Sequence, residues 1–506
     1  MAVAPLAPVA AALVLFASVT PSPLAAAAPV PDEALSLQDT LRRVVAGNVD
    51  LARERIVIET NAANFLALRG AFDFVLGGDV TFSRRTTPRL SATDFAGGET
   101  NTLRVNLQAS RALETGGSVA LGLTTDAINT NSVFTCGNFG ATTSECTYYS
   151  SNLNLTFTHP LLRGFGTEIA QANLRRQRVA GDLGLLNRQA RAANIMRDVV
   201  NGYWDLAYAT QELTIRRSAV DLAREQLRAT QAQIEVGRLA PVDAAAVERA
   251  IADREQEVVL SEQAVFLRTM DLRRQFGMPS DPRLGNFTAT DVPTAQPRDV
   301  DVMAEIQHAL EASPQLRSLK MGLKLNQIDL QTAAINLRPR LDFVGQFGST
   351  GRNADLLDTV ATTAGLDDLV WSAGFNFQVP LENRAAIGQY RATELGARRS
   401  RLDAGDLELA IRDSVMRLAV AIRTASRRVE LARSTVTYAE RNLEAEKARF
   451  AVGRSTNNDV LLRQQELKSA QIQVVRATID LLSSETALSA VSGDLLERFG
   501  IRLAGS

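Results

Sequence analysis

The sequence predicts a mixed α and transmembrane-β fold built from two internal repeats. Three observations carry this prediction. Short segments alternate apolar and polar residues, two proline-free stretches have helical patterning, and one order of elements is met twice along the 506 residues.

The strands show most clearly. In 72–82 the apolar positions are Phe72, Phe74, Leu76, Val80 and Phe82, with Asp73, Asp79 and Thr81 between. Leu103, Val105 and Leu107 alternate with Arg104, Asn106 and Gln108. Val119, Leu121 and Leu123 follow, then Leu153, Leu155 and Phe157 against Asn152, Asn154 and Thr156. Further on, Leu341, Phe343 and Phe347 precede Trp371, Ala373, Phe375, Phe377 and Val379. Period two with one polar face describes a sheet wet on one side and apolar on the other. Strands of about ten residues suit a tilted bilayer-spanning strand. Segments 86–101, 127–148 and 351–367 read as long polar loops, and Leu113–Gly117 as a tight turn. Cys136 and Cys146 share the second loop, and in an exported protein they are expected to pair.

The stretches 167–236 and 383–452 lack proline. Each would run about 100 Å as one helix. Ile195, Val199, Tyr203, Leu206 and Leu213 form a stripe in the first, and Leu467, Val475, Ile479 and Leu482 form one in the last helix. This is coiled-coil-like patterning. Thr167 and Asn383 are the expected N-caps. Val236-Gly237-Arg238-Leu239-Ala240-Pro241-Val242-Asp243 answers Val452-Gly453-Arg454-Ser455-Thr456-Asn457-Asn458-Asp459. Glycine supplies the left-handed residue of a helix C-terminus. Pro241 fits the first turn of a returning helix, and Ser455 or Thr456 caps the other. The first repeat is placed at 29–280: a helix, strands within 72–159, the helix 167–236, a turn and the helix 241–277. Residues 281–299 are a linker. The second repeat, 300–498, has strands within 340–380, the helix 383–452, a turn and the helix 456–498; 499–506 is a tail.

Composition narrows the function. Lys plus Arg (55) balances Asp plus Glu (56), so nothing global points to nucleic acid. Two cysteines and two histidines exclude a disulfide-dense scaffold and a cysteine-rich metal site. His159 and His308 read as structural, and Arg175–Arg178 as a solvated helix face. No phosphate loop, nucleophile elbow or metal-ligand spacing occurs, so no cofactor, metal or catalytic residue is expected and the chain is not read as an enzyme. Residues 9–19 are an apolar block followed by Leu24–Ala28, small-residue cleavage sites, and 1–28 read as an export signal despite an n-region without Lys or Arg. Beyond it no apolar run is long enough for a transmembrane helix.

The matched turns, Tyr203–Leu206, His159–Gly166 and the strand–proline–long-helix joints resemble the TolC family of outer-membrane channels over essentially the whole mature chain. The resemblance implies a homotrimer in which strands of three chains close one barrel in outer-membrane lipid, continued by a long periplasmic α-helical coiled-coil barrel. It implies a passive conduit of a tripartite efflux or type I secretion system, docked to a periplasmic adaptor and an inner-membrane pump, exporting small molecules or polypeptides. By the same resemblance Val236, Gly237, Arg238, Leu239, Val452, Gly453, Arg454 and Ser455 meet the adaptor. Arg238 and Arg454 depart from the small or apolar residue usual in such turns. Asp413, Arg417 and Arg423 are of the type that forms charged gates on the second long helix. The strand count also departs: four in the first half and two in the second, where the family has two in each. Either a larger barrel closes, or 102–127 is an appended hairpin. The competing class is a periplasmic coiled-coil adaptor or scaffold. That class would carry one helical hairpin between split β-domains, rather than two successive strand–helix–turn–helix units.

Overall fold

The computed structural model describes residues 32–88, 98–131, 145–279, 281, 284–294 and 300–501. The expected export signal, 1–28, lies outside them. In chain order the elements are β1 (Glu33–Leu35), α1 (Leu37–Gly47), α2 (Val49–Arg69), β2 (Val75–Thr87), β3 (Gly98–Ala112), β4 (Ser118–Thr130) and β5 (Cys146–Pro160). Next come α3 (Thr167–Ala170), α4 (Ala172–Glu235), α5 (Val242–Gln275) and β6 (Phe287–Ala289). The second half holds α6 (Val302–Ala312), α7 (Pro314–Ile335), β7 (Arg340–Asn353), α8 (Leu356–Gly365), β8 (Leu369–Gln378), α9 (Arg384–Ala451), α10 (Asn457–Ser492) and α11 (Leu495–Arg498).

The strands join one six-stranded antiparallel sheet in the order β2-β3-β4-β5-β7-β8. The hairpin β3–β4 is therefore internal to the wall of strands, paired along its length on both sides, and not appended to it. Register carries one apolar rung across all six strands: Leu76, Ala109, Leu121, Leu155, Phe347 and Trp371 stand opposite one another. On the other face, three residues along, the rung is Asp79, Asn106, Thr124, Asn152 and Thr350. Apolar residues of the first face are open to the surroundings, with Leu76 81% and Trp371 74% exposed. On the polar face Arg104 holds Asp126 through two hydrogen bonds of 2.7 and 2.9 Å, and Asn106 donates to Asp79 at 3.1 Å.

Helices at one end of the sheet form two successive rows. Next to the strands, α4 packs on α2 and α7, and α7 on α9. Farther away α4 packs on α5 and α10, and α10 on α9. Spanning both rows, α4 and α9 have 64 and 68 residues, about 96 and 102 Å at 1.5 Å per residue. Between the rows the core gathers Val199, Tyr203, Leu206, Leu272, Phe287 and Leu495, all essentially buried. The Tyr203 hydroxyl donates to the Asp291 carboxylate at 2.7 Å and to Leu35 O at 3.1 Å. Burial, and then the bond to Asp291, push its pKa up, so it remains a donor there. The bond to Leu35 O ties α4 to the small parallel sheet β1–β6.

Several expectations need correction. Residues 281–299 are not simple linker: Phe287–Ala289 pairs in parallel with Glu33–Leu35. The loop 351–367 contains α8, started by Asp355, whose carboxylate accepts from Leu357 N and Asp358 N. A Cβ on Gly351 would come within 2.4 Å of Thr363 Oγ1, so glycine there lets α8 lie on the sheet. The first strand starts at Val75, because Gly70–Phe72 is a 3-10 turn. The loops 86–101 and 127–148 give up their ends to longer strands, Val75–Thr87, Gly98–Ala112, Ser118–Thr130 and Cys146–Pro160. The helix expected over 167–236 breaks at Gln171, and Gly166, not Thr167, is its N-cap. Asn383 is the N-cap of α9 as expected, but it makes no side-chain capping bond and its Nδ2 donates to Leu337 O at 3.1 Å. The last helix breaks at Gly493 (φ 88°) before α11. No helix of the described residues is long and apolar enough to cross a membrane.

Candidate functional site at the paired helical turns

The two Val-Gly turns lie at the end of the helices farthest along the chain from the sheet, and each is built by the same backbone chemistry. At the end of α4, Gly237 N–H donates to Ile234 O and Arg238 N–H to Gln233 O, at 2.9 Å each. At the end of α9, Gly453 N–H donates to Phe450 O and Arg454 N–H to Arg449 O, at 3.0 and 2.9 Å. Both are Schellman motifs, which satisfy carbonyls that a helix end leaves open. They require the left-handed residue, and Gly237 and Gly453 adopt φ 74° and 77°.

The returning helices begin differently. Thr456, not Ser455, caps α10 in a full capping box with Asp459: Thr456 Oγ1 accepts from Asp459 N–H, and the Asp459 carboxylate accepts from Thr456 N–H. The Thr456 hydroxyl also reaches that carboxylate, at 2.7 Å, and this bond first, then the one from Thr456 N–H, holds the Asp459 carboxyl below its usual range. Pro241 stands one position earlier than expected, as the N-cap of α5, and the Asp243 carboxylate accepts from Ala240 N–H at 3.0 Å.

The tips share one layout. Val236 and Val452 are 68% and 67% exposed, and Arg238 and Arg454 point into solvent. Leu239 and Ser455 are half-buried, and Leu239 rests on a cluster holding Leu443, Phe450 and Val460. An exposed valine beside an exposed arginine, presented twice on rigid backbone, can dock a partner that offers apolar and acidic groups together.

Asn457 joins the two turns, and the sequence reading did not single it out. It is buried, and its Oδ1 accepts from Gln226 Nε2 at 2.8 Å and Thr230 Oγ1 at 2.7 Å. Two turns deeper, buried Arg254 donates to Ala219 O and Gln464 Oε1 at 2.8 and 2.9 Å, and burial draws its pKa down. Buried Lys468 meets Glu257 at 2.6 Å. These groups link α4, α5 and α10 into a polar layer beneath the tips. A signal for Asn457 exists in its place one residue after a cap, where an exposed residue is usual, but its partners are more than 200 positions away.

The other singled-out residues lie elsewhere. Asp413 and Arg417 pair with each other at 3.5 Å across one turn of α9, both well exposed. With Arg423 they stand about 45–60 Å along α9 from Val452, so they are not part of the turn constellation. Cys146 opens β5 and is disulfide-bonded; Cys136 lies outside the described residues. His159 Nε2 and Thr115 Oγ1 are 3.0 Å apart at the helical end of the sheet. Arg175–Arg178 lies on α4, with Arg176 paired to Asp329.

Comparison with known proteins follows the same architecture. Residues 306–494 match the family described as outer membrane efflux protein. No curated protein matches the chain. The CmeC outer membrane channel of Campylobacter jejuni is similar in structure, with TM-score 0.67 and 14% identity over 93% of this chain and 87% of that one. VceC of Vibrio cholerae gives 0.63 and 12%, over 90% and 96%. The open state of the MtrE channel of Neisseria gonorrhoeae gives 0.62 and 14%, over 91% and 89%. In fold over most of its length, and in sequence over residues 306–494, the chain resembles the TolC family of outer-membrane efflux channels.

Proposed function

We propose that the protein is the outer-membrane channel of a tripartite efflux or type I secretion system, acting as a homotrimer. The observation that carries this reading is a two-faced sheet continued by helices about 100 Å long that end in two matched turns. The apolar face suits lipid and the polar face a water-filled lumen. A sheet with two open edges cannot stand in hydrocarbon, where every backbone group needs a partner. Closure between copies supplies those partners.

The helices support closure. Leu395, Leu402, Leu409 and Met416 lie seven residues apart on α9, and all are exposed. Val259 with Phe266 and Leu260 with Leu267 repeat the spacing on α5, as do Val49 and Ile56 on α2. Apolar residues at every seventh position make a coiled-coil seam. One flank of the chain is α2, β2 and α5; the other is β8 and α9. Laid side by side in rotation, three copies join unlike flanks and close a ring.

In the ring the protein is a passive conduit and holds no cofactor. An inner-membrane pump supplies the energy. A periplasmic adaptor engages Val236–Leu239 and Val452–Ser455, and Cys136 pairs with Cys146 outside the lipid. Asp413, Arg417 and Arg423 are kept as lumenal charges of α9. The test is to fractionate envelopes, purify the mature protein in mild detergent, and measure mass and single-channel conductance in planar bilayers. A trimer from the outer membrane with stable open events is expected. A soluble or inner-membrane protein without conductance overturns the proposal.

A further inference from the structure

The internal place of β3–β4 has a consequence for the pore. We infer that three copies close a barrel of 18 strands, its seam formed by β8 of one copy against β2 of the next. The inference rests on the trimeric-channel reading and goes beyond it to the make-up and width of the wall.

Three features of the sheet support it. First, the two terminal strands run antiparallel to each other, because five antiparallel pairings separate them. Edge meets edge without breaking the alternation of directions. Second, the apolar face continues through the hairpin: Leu103, Val105 and Leu107 on β3, and Leu121 and Leu123 on β4, lie on the same face as Leu155 and Phe347. A hairpin standing in water outside the wall has no need of that belt.

Third, the register closes. Val75 and Gln378 are the ends of β2 and β8 nearest the helices, so they meet at one height in a ring. Within one chain the rung from Val75 passes through Ser110, Ala120, Thr156 and Gln346 to Ser372. The rung is thus offset by six residues from Gln378 across one chain. Pairing Gln378 with Val75 of the next copy sets Trp371 opposite Phe82, Phe377 opposite Leu76, and Ser372 opposite Thr81. Apolar residues meet apolar ones on the lipid face, and polar ones meet in the lumen. A one-residue slip would reverse this. Six residues per copy give a shear of about 18 for 18 strands, hence a tilt of about 35° and a backbone diameter of about 34 Å. A 12-stranded wall at the same tilt would measure about 23 Å.

The test uses the full-length protein. With Ser372→Cys and Thr81→Cys combined, mild oxidation in outer membranes is expected to yield covalent dimers and trimers on denaturing gels, while each single variant stays monomeric. Electron cryo-microscopy of the wild-type trimer should show 18 strands around a ring about 34 Å wide. A trimer with 12 strands in the wall and the β3–β4 hairpin outside it overturns the inference and leaves the channel reading standing. A protein with no ring overturns that reading itself. A trimer of the double variant that never cross-links overturns the register from which the width is computed.

Discussion

Asn457→Ala removes the group that holds the two turns together. Its Oδ1 takes hydrogen bonds from Gln226 at 2.8 Å and Thr230 at 2.7 Å, and those two residues are 6% and 0% exposed. Thr230 keeps a second acceptor, Gln226 O at 2.8 Å, so its hydroxyl is not orphaned. The Gln226 amide loses its partner in a site closed to water. One lost bond at about 1 kcal/mol and one unsatisfied buried donor at about 1–3 kcal/mol give about 2–4 kcal/mol. The loss is local, because helix packing and the deeper Arg254–Gln464 and Lys468–Glu257 contacts also hold the elements that Asn457 bridges. In hydrogen exchange limited by local opening, that energy speeds the amides of 232–240 and 450–456 by about 30- to 900-fold. Amides around Tyr203 should not change. Asn457→Asp keeps the acceptor and places a negative charge in the first turn of α10, where the helix dipole favours it, but it loses the Nδ2 donor to Asp243 O at 3.5 Å and buries a charge, so exchange should lie between wild type and the alanine variant. Equal exchange in the alanine variant, within about threefold, would refute the view that this side chain locks the turns.

Four further outcomes are expected. Gly237→Ala and Gly453→Ala should each cost about 1–2 kcal/mol through left-handed strain alone, since no neighbouring atom crowds a Cβ at either place; melting of the purified protein checks this. Arg238→Glu with Arg454→Glu changes only exposed tips, so the fold and conductance should persist while efflux in cells falls, which a drug-accumulation assay reads. The His308 ring lies 2.7 Å from Asp494, and that hydrogen bond raises its pKa. Its contribution is therefore full below the ordinary histidine value of about 6.5 and lost as pH rises through the raised one; melting curves from pH 5 to 9 should show wild type losing its advantage over His308→Gln across that window. Leu402→Glu puts a charge into the α9 seam, and size-exclusion chromatography should show the trimer dissociating while α4 and α10 remain helical.

Much of the architecture was legible because its signals are local. Period-two alternation marked all six strands, and it needs only the face each residue presents. The glycines at 237 and 453 announced helix ends because few other residues tolerate positive φ. The misses share a cause as well. Phe287–Ala289 becomes a strand only because Glu33–Leu35 lies beside it, and three residues carry no period of their own. Leu356–Gly365 is rich in threonine, which has modest helix propensity, and its helix depends on the Asp355 cap and on a sheet surface opened by Gly351. The seam residues Leu395, Leu402, Leu409 and Met416 were visible at fixed spacing, yet one line of leucines among arginines and glutamates reads as an ordinary amphipathic face until a different stripe, Ile411, Val415, Ile422 and Val429, is seen to be the packed one.

The exposed apolar residues fall into two patterns that call for two different coverings. On the sheet they form a broad band, in which one rung crosses all six strands without a polar residue, from Leu76 to Trp371. Such a band has no preferred partner, and a fluid hydrocarbon solvent covers it. On the helices the lines with a seven-residue step lie on the flanking elements α2, α5 and α9, and other exposed apolar residues, such as Met303 and Leu462, stand singly. A line that narrow, flanked by Arg417 and Asp413 or by Glu262 and Arg268, cannot enter lipid without taking charges along. A facing helix with the same step can cover it and leave the charges in water. The change from band to line occurs where strands give way to helices, at Phe72–Val75 and Gln378–Arg384. In the proposed channel, the apolar pattern would thus mark the height at which the surroundings change from lipid to the aqueous periplasm, and a second copy would cover the flank on both sides of that boundary.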